Sequence, residues 1–288
     1  MIIDGNQIAQ AFFEEVKKEI TGFEKKPHLV VVLVGEDPAS KRYVSRKQKA
    51  CQSVGIRSTV INLPKDTTAD TLKEALLALN EDADVHGILL QLPLPKPLHA
   101  QEFVSLIDPK KDVDGITPEN MGKLLLGDRS GIIPCTPLGI QRLLKASKVS
   151  IEGKKVVIVG RSAIVGKPLA ALLMQNAPDC NATVTLAHSK TEGLKALTQS
   201  ADILVVATGF ANFITKDWIK SGAVVIDVGI SEIEDLSKKS KKRLVGDVDF
   251  QSASLKASLI TPVPGGVGPM TIASLLTNTA RAYKKNLL

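Results

Sequence analysis

"VVIVGRSAIVGKPLAALLM", residues 156–174, decides how the rest of this 288-residue chain is read. A β-branched run ends at Gly160, and an Ala/Leu-rich helical pattern begins near Gly166. A strand, a tight turn and a helix in that order present unpaired helix N–H groups and a positive dipole end, which suit a phosphate. Gly160 permits the turn, and Gly166 permits close packing at the helix start. The spacing departs from a regular G-x-G-x-x-G. Ser162 stands at the middle glycine, and the next glycine comes one residue late. The following strand, "ATVTLAH" (182–188), leads into Ser189 and Lys190 with no acidic residue. An unphosphorylated ribose usually meets Asp or Glu at that point. Arg161, in the turn, offers a forked partner for a 2′-phosphate. The pattern therefore favours NADP over NAD, with Gly160, Arg161, Ser162 and Ser189 as contacts.

Outward from this junction, apolar runs alternate with helical patterns. "ADILVVATG" (201–209), "AVVIDVG" (223–229) and "LVGDVDF" (244–250) read as further strands downstream. Upstream, "HLVVVLVG" (28–35), "RSTVINL" (57–63) and "HGILLQL" (86–92) read as strands, with helices over 37–55 and 68–81. Asp37 can cap the first of these helices, Pro38 suits its first turn, and Gly55 ends it. Such alternation predicts an α/β protein with mostly parallel sheets and right-handed crossovers. The Pro-, Gly- and Asp-rich stretch 108–139 reads as the connection between two such units, and a last helix is expected over about 270–286.

Composition narrows the function. Apolar residues make up 44%, charged residues 23% and aromatics only 3%, so the cores must be built from Val, Ile, Leu and Ala. No apolar run approaches the ~18 residues of a membrane span. The first twenty residues pattern as an amphipathic helix rather than a signal peptide. Cys51, Cys135 and Cys180 form no CxxC, so neither a disulfide framework nor a metal site is expected, and the cytoplasm is the natural compartment. The net charge of +7 includes a dense run, "SKKSKKR" (237–243), but no aromatic platform accompanies it. It reads as a solvated face rather than a nucleic-acid patch.

"YVSRK" (43–47) places Tyr43 and Lys47 one above the other on a helix, with Ser40 on the same face. Tyr-x-x-x-Lys also marks short-chain dehydrogenases, but there the glycine turn precedes the pair, and here it follows by more than a hundred residues. That reading fails on order. A broader likeness comes from "VGEDPASKRYVSRKQKACQSVGI", "GILLQLPLP", "DPKKDVDGITPENMG", "PCTPLG", "VVIVGRSAIVGKPLA", "TVTLAHSKT" and "TPVPGGVGPMT". In order and spacing, and over essentially the whole chain, these resemble the bifunctional methylenetetrahydrofolate dehydrogenase/cyclohydrolase family.

The resemblance implies two α/β domains with a cleft between them. The first (1–139, completed by 270–288) would be folate-binding and catalytic. The second (140–269) would be a Rossmann-type NADP-binding domain, the C-terminal helix packing back on the first. It implies oxidation of 5,10-methylenetetrahydrofolate with NADP⁺, then hydrolysis of the methenyl product to 10-formyltetrahydrofolate. Lys47 would be the catalytic lysine, with Tyr43 beside it and Gln91 bonded to it. Ser40, Tyr43, Asp114, Pro264 and Gly265 would contact substrate, and Ile230 the cofactor. A neutral amide at Gln91 can orient an amine without the counter-charge that stabilises ammonium, and a carboxylate at Asp114 can accept paired N–H donors from a pterin edge. Asp112 reads as structural. A homodimer is implied, and a basic surface suits polyglutamylated folates. Two places depart from the family pattern: Ala211 stands where proline is usual, and Ile116–Thr117 where an aromatic and a histidine are.

Overall fold

The computed structural model describes residues 1–235, 237 and 241–285. In chain order it forms α1 (Gly5–Thr21), β1 (His28–Val34), α2 (Pro38–Val54), β2 (Arg57–Leu63), α3 (Ala69–Glu81), β3 (Gly87–Leu90), α4 (Ala100–Val104), α5 (Pro118–Leu126) and α6 (Cys135–Ala146). There follow β4 (Lys155–Val159), α7 (Gly166–Leu173), β5 (Thr183–Ala187), α8 (Leu194–Gln199), β6 (Ile203–Val206), β7 (Val224–Asp227), β8 (Ser231–Glu234), β9 (Lys242–Val245), α9 (Phe250–Ser254), β10 (Leu259–Ile260) and α10 (Val267–Lys285). Two units result: Gln10–Cys135 with Ile272–Leu288, and Met1–Ala9 with Thr136–Thr271.

The first unit holds a parallel three-stranded sheet in the order β2-β1-β3. Every residue of β1 is buried. Leu29, Val31 and Leu33 face one core, shared with Val44, Cys51 and Val54 of α2 and with Leu275, Leu276 and Ala280 of α10. Val30, Val32 and Val34 face the other, with Leu72, Leu76 and Phe103. The side chains alternate, but both faces are covered, which is why the strand reads as an unbroken apolar run. Each such side chain contributes about 1.5–3 kcal/mol by leaving water. Helix α2 is delimited as its sequence suggests. Asp37 accepts from the Ser40 N–H at 2.7 Å, and Gly55 ends the helix at φ 92°.

The second unit carries a parallel five-stranded sheet, β10-β7-β6-β4-β5. Chain progress reverses between β4 and β6, so the carboxyl ends of those two strands define the switch point where open α/β sheets bind ligands. Several expectations need correction here. Residues 244–250 do not supply a strand of this sheet: β9 pairs antiparallel with β8 in a separate hairpin, and the edge position goes to β10. Residues 1–9, 136–139 and 270–271 pack within the second unit. The physical reason is local. Ile2 bridges Ile260, and the terminal amine donates to the Ser258 carbonyl at 2.7 Å. The stretch 108–139 is more than connection, since it contains α5, capped by Thr117. In the basic run, residues 238–240 lie outside the described residues, while Lys242 and Arg243 sit in β9 and pair with Glu232 and Asp235. Residue 286 of the expected last helix is likewise outside them.

Lys111 fastens the 108–117 segment to the end of α3. Its ammonium donates to the carbonyls of Leu79 (3.1 Å), Asn80 (2.6 Å) and Asp82 (2.8 Å). Bonds from a charged donor are worth more than neutral ones. Lys111→Met should lower the stability read by urea unfolding by about 2–3 kcal/mol, and an unchanged midpoint would show that these carbonyls find other partners.

Candidate active site

Helix α2 and the end of β3 bring the residues singled out in the first unit together. Ser40, Tyr43 and Lys47 lie on one stripe of α2. Ser40 and Lys47 are buried and Tyr43 is half-buried. Lys47 Nζ donates to Gln91 Oε1 at 3.0 Å, and Gln91 Nε2 donates to the Leu92 carbonyl at 2.7 Å. The second bond orients the amide so that its oxygen, not its nitrogen, faces the amine. Burial lowers the Lys47 pKa; the Asp114 carboxylate opposes this but is the smaller influence. Burial also raises that of Tyr43. Lys47 thus releases a proton more readily than a surface lysine, and Tyr43 holds its own more tightly.

Asp114 lies close enough to influence this amine electrostatically because the chain runs beside β3. Ile88 donates to the Lys111 carbonyl at 2.7 Å and bridges Asp112. The turn itself is built around Asp112, 1% exposed, which accepts from Gly115 N at 2.9 Å, Thr117 N at 2.8 Å and Asn120 Nδ2 at 2.9 Å. Gly115 has φ 72°, and a side chain there would press on the backbone at Ile133 and Pro134. Asp112 therefore shapes the loop, and Asp114 is the acid it presents. Thr117, one of the departures from the family pattern, caps α5 through its hydroxyl.

Two participants went unread in the sequence. Cys135 is buried in the field of Lys47 and Asp114, and its thiol donates to the Val113 carbonyl at 3.2 Å. Burial pushes that thiol's pKa well up, so it remains a neutral donor. Asn278 of α10 donates to the carbonyls of Val113 (3.0 Å) and Ile133 (2.9 Å), tying both strands of the loop together. "PCTPLG" could have flagged the cysteine. Nothing local could have flagged Asn278, whose partners lie 165 and 145 positions away.

In the second unit the glycine turn fits a dinucleotide phosphate. A side chain on Gly160, at φ 127°, would strike the Ala207 carbonyl after β6, and one on Gly166 would strike the Gly160 carbonyl. The two glycines therefore hold the β4 turn against the β6 loop and the start of α7 against that turn, at the switch point. Ser162 Oγ accepts from Val165 N at 3.1 Å, and Arg161 and Ser162 are exposed. Ser189 is exposed beyond β5, and Ile230 is 44% exposed beyond β7. Pro264 and Gly265 belong to this second unit, whereas Ser40, Tyr43, Lys47, Gln91 and Asp114 belong to the first. The three cysteines are buried and not joined in disulfides, and among the described residues no cluster could hold a metal. A buried amine on one α/β unit and a phosphate-fitting glycine turn on another define a two-domain, dinucleotide-binding enzyme.

Comparison with known proteins gives the particular kind. Residues 3–114 match the tetrahydrofolate dehydrogenase/cyclohydrolase catalytic domain, and residues 134–287 its NAD(P)-binding domain. The chain belongs to the tetrahydrofolate dehydrogenase/cyclohydrolase family, and it is an enzyme of one-carbon folate interconversion with both activities. It is 50% identical over 291 residues to the bifunctional protein FolD of Prosthecochloris aestuarii, covering 99% of each. The crystal structure of the bifunctional enzyme FolD from Campylobacter jejuni is similar with a TM-score of 0.93, at 44% identity and 99% coverage of both chains. The FolD of Trypanosoma brucei, complexed with NADP cofactor and an inhibitor, matches with a TM-score of 0.94 at 39% identity, covering 100% of this chain and 98% of that one.

Asp227, at the end of β7, is 3% exposed and accepts from the N–H groups of Gly229 (3.0 Å), Asp247 (2.9 Å) and Val248 (2.9 Å). Burial nevertheless raises its pKa to about 7, and the Asp247 carboxylate adds to the rise. An unfolded aspartate titrates near ~3.9. Between those values the folded protein holds a proton that the unfolded chain does not, so this contribution to stability is full below about pH 4 and lost as pH rises to about 7. The expected outcome is that wild type loses stability relative to Asp227→Asn across that window in urea unfolding. A constant difference between the two would contradict it.

Proposed function

We propose that this chain oxidises 5,10-methylenetetrahydrofolate with NADP⁺ and hydrolyses the resulting methenyl cation to 10-formyltetrahydrofolate, with Lys47 handling the protons of the second step. The observation that carries this reading is the buried Lys47 amine, bonded at 3.0 Å to a neutral amide on the face it shares with Ser40 and Tyr43.

NADP, when bound, supplies the hydride acceptor. The chain's part in the first step is alignment, since hydride transfer depends mainly on the approach of donor and acceptor carbons. Asp114 accepts from the 2-amino-4-oxo edge of the pterin, while Ser40, Tyr43, Pro264 and Gly265 complete the substrate contacts. Gly160, Arg161, Ser162, Ser189 and Ile230 hold the dinucleotide, with Arg161 on its 2′-phosphate. In the second step water adds to the methenyl carbon and loses one proton to give a carbinolamine, whose remaining hydroxyl proton passes to one ring nitrogen as the bond from that carbon to the nitrogen breaks and the formyl carbonyl forms, so that one proton is released overall. Lys47, with its lowered pKa, exchanges both protons, and Gln91 keeps its lone pair directed. A carboxylate in place of Gln91 would hold the amine as ammonium and block that exchange.

Support for the cytoplasm and for a homodimer is of a different kind. No helix among the described residues is long and apolar enough to cross a membrane, and the three cysteines are not joined in disulfides. The homodimer, like the preference for polyglutamylated substrate, is carried by the family likeness and the positive net charge.

Lys47→Met should keep NADP binding within about twofold and abolish conversion of methenyl- to 10-formyltetrahydrofolate, read as loss of the methenyl absorbance decay. Full hydrolysis by that variant would remove Lys47 from the mechanism. Arg161→Ala should weaken NADP by about tenfold or more and leave NAD nearly unchanged in direct binding. Equal weakening of both would refute the 2′-phosphate contact.

A further inference from the structure

The loop after β6, residues 207–214, carries Thr208 and Gly209 at the switch point, then exposed Phe210 and Ala211. With alanine at 211, no proline ring restricts the backbone there. The loop's shape is supplied from elsewhere. Asp247, fully buried beyond β9, turns one carboxylate oxygen to it: Oδ2 accepts from Thr208 N at 2.5 Å, Thr208 Oγ1 at 3.0 Å and Gly209 N at 2.8 Å. The backbone of the same segment takes up the rest, since Gly246 and Asp247 carbonyls accept from Asn212 N and Ile214 N, both at 3.0 Å. The other oxygen, Oδ1, is buried and accepts no hydrogen bond among the described residues. It packs against Gly229, where any side chain would overlap the carboxylate, and Gly229 is followed by Ile230.

One buried carboxylate therefore touches both loops that leave the carboxyl ends of β6 and β7. Three donors converging on one oxygen are satisfied by an acceptor-only group, and an amide or a hydrophobe of the same size is not equivalent. Tolerating an orphaned second oxygen in the interior is costly. A feature that costs stability yet orders two loops at a ligand edge is better explained by the ligand than by the fold.

We propose that Asp247 is a positioning residue for the dehydrogenase step: its carboxylate fixes the 207–214 loop and the Gly229–Ile230 corner as one surface for the dinucleotide. The inference rests on the cofactor reading above and concerns residues that make no contact with folate in that reading. Two variants test it. Asp247→Asn places an NH₂ group or a poorer acceptor against the three donors, and Thr208→Val removes one donor, together with the acceptor of the exposed Phe210 N–H at 3.2 Å, without burying a new polar atom.

NADP affinity, steady-state dehydrogenase kinetics and dinucleotide-independent hydrolysis of the methenyl substrate are measured on the full chain, with circular dichroism as a check of fold. Asp247→Asn is expected to raise both the Kd and the KM for NADP by about tenfold while kcat at saturation falls less than about threefold, and Thr208→Val to do the same by about three- to fivefold. The proposal is overturned if NADP binds both variants within twofold of wild type. It is also overturned if Asp247→Asn loses the hydrolysis in parallel with the oxidation, which would make Asp247 a residue of the fold alone. Should Asp247→Asn fail to fold, Thr208→Val decides by the same criteria. A wild-type protein that binds no dinucleotide would instead refute the cofactor assignment itself, and this proposal with it.

Discussion

An ammonium group loses far more hydration on burial than a neutral amine does, and the chain places Lys47 where that difference matters. Its nearest partner is the oxygen of Gln91, an uncharged acceptor, so the interior offers geometry without a compensating full charge at hydrogen-bond distance. Asp114 opposes the effect from further away, but burial is the larger influence. The rest of the first unit is arranged to keep this balance. β1 is buried on both faces and supports α2, β3 ends in Gln91, and the segment beside β3 delivers Asp114. If the amine were moved to the surface, burial would no longer lower its pKa and its readier release of a proton would be lost.

Carboxylates serve two purposes in this molecule, and their surroundings tell them apart. Asp112, Asp227 and Asp247 are buried and each accepts from two or more backbone N–H groups, so they act as staples for loops. Asp114 is half-buried and lies in the field of an amine and a thiol. In "KDVDG" the two acids are two residues apart and locally indistinguishable. What separates them is that Asp112 finds Gly115, Thr117 and Asn120, leaving Asp114 to face outward from the turn. The same logic places Asp227 and Asp247 behind the two loops that leave the carboxyl ends of β6 and β7.

The strands of both sheets other than β10, the limits of α2 and the glycine junction at 156–174 were legible in the chain, because each depends on residues close in sequence. A β-branched run between turn formers, an aspartate three residues before an N–H it can accept, and a glycine at a positive φ are local events. Residues 244–250 were misread for a related reason: a short apolar run states that a strand is possible but not which neighbour it will pair with. Pairing is decided by competition among all edges, and β10, only two residues long, took the place beside β7 because residues 1–3 secure its other side.

The sequence by itself determined the class of fold, the phosphate-fitting turn and the stripe of Ser40, Tyr43 and Lys47, since the 3.6-residue repeat of a helix is enough to align them. Only the tertiary structure decided that Lys47 is buried and that Cys135 and Asn278 stand behind Asp114, while Gln91 as the lysine's partner was implied by the family likeness. Burial and long-range hydrogen bonds are properties of what surrounds a residue, and for these residues the surroundings come from segments 21 to 165 positions away.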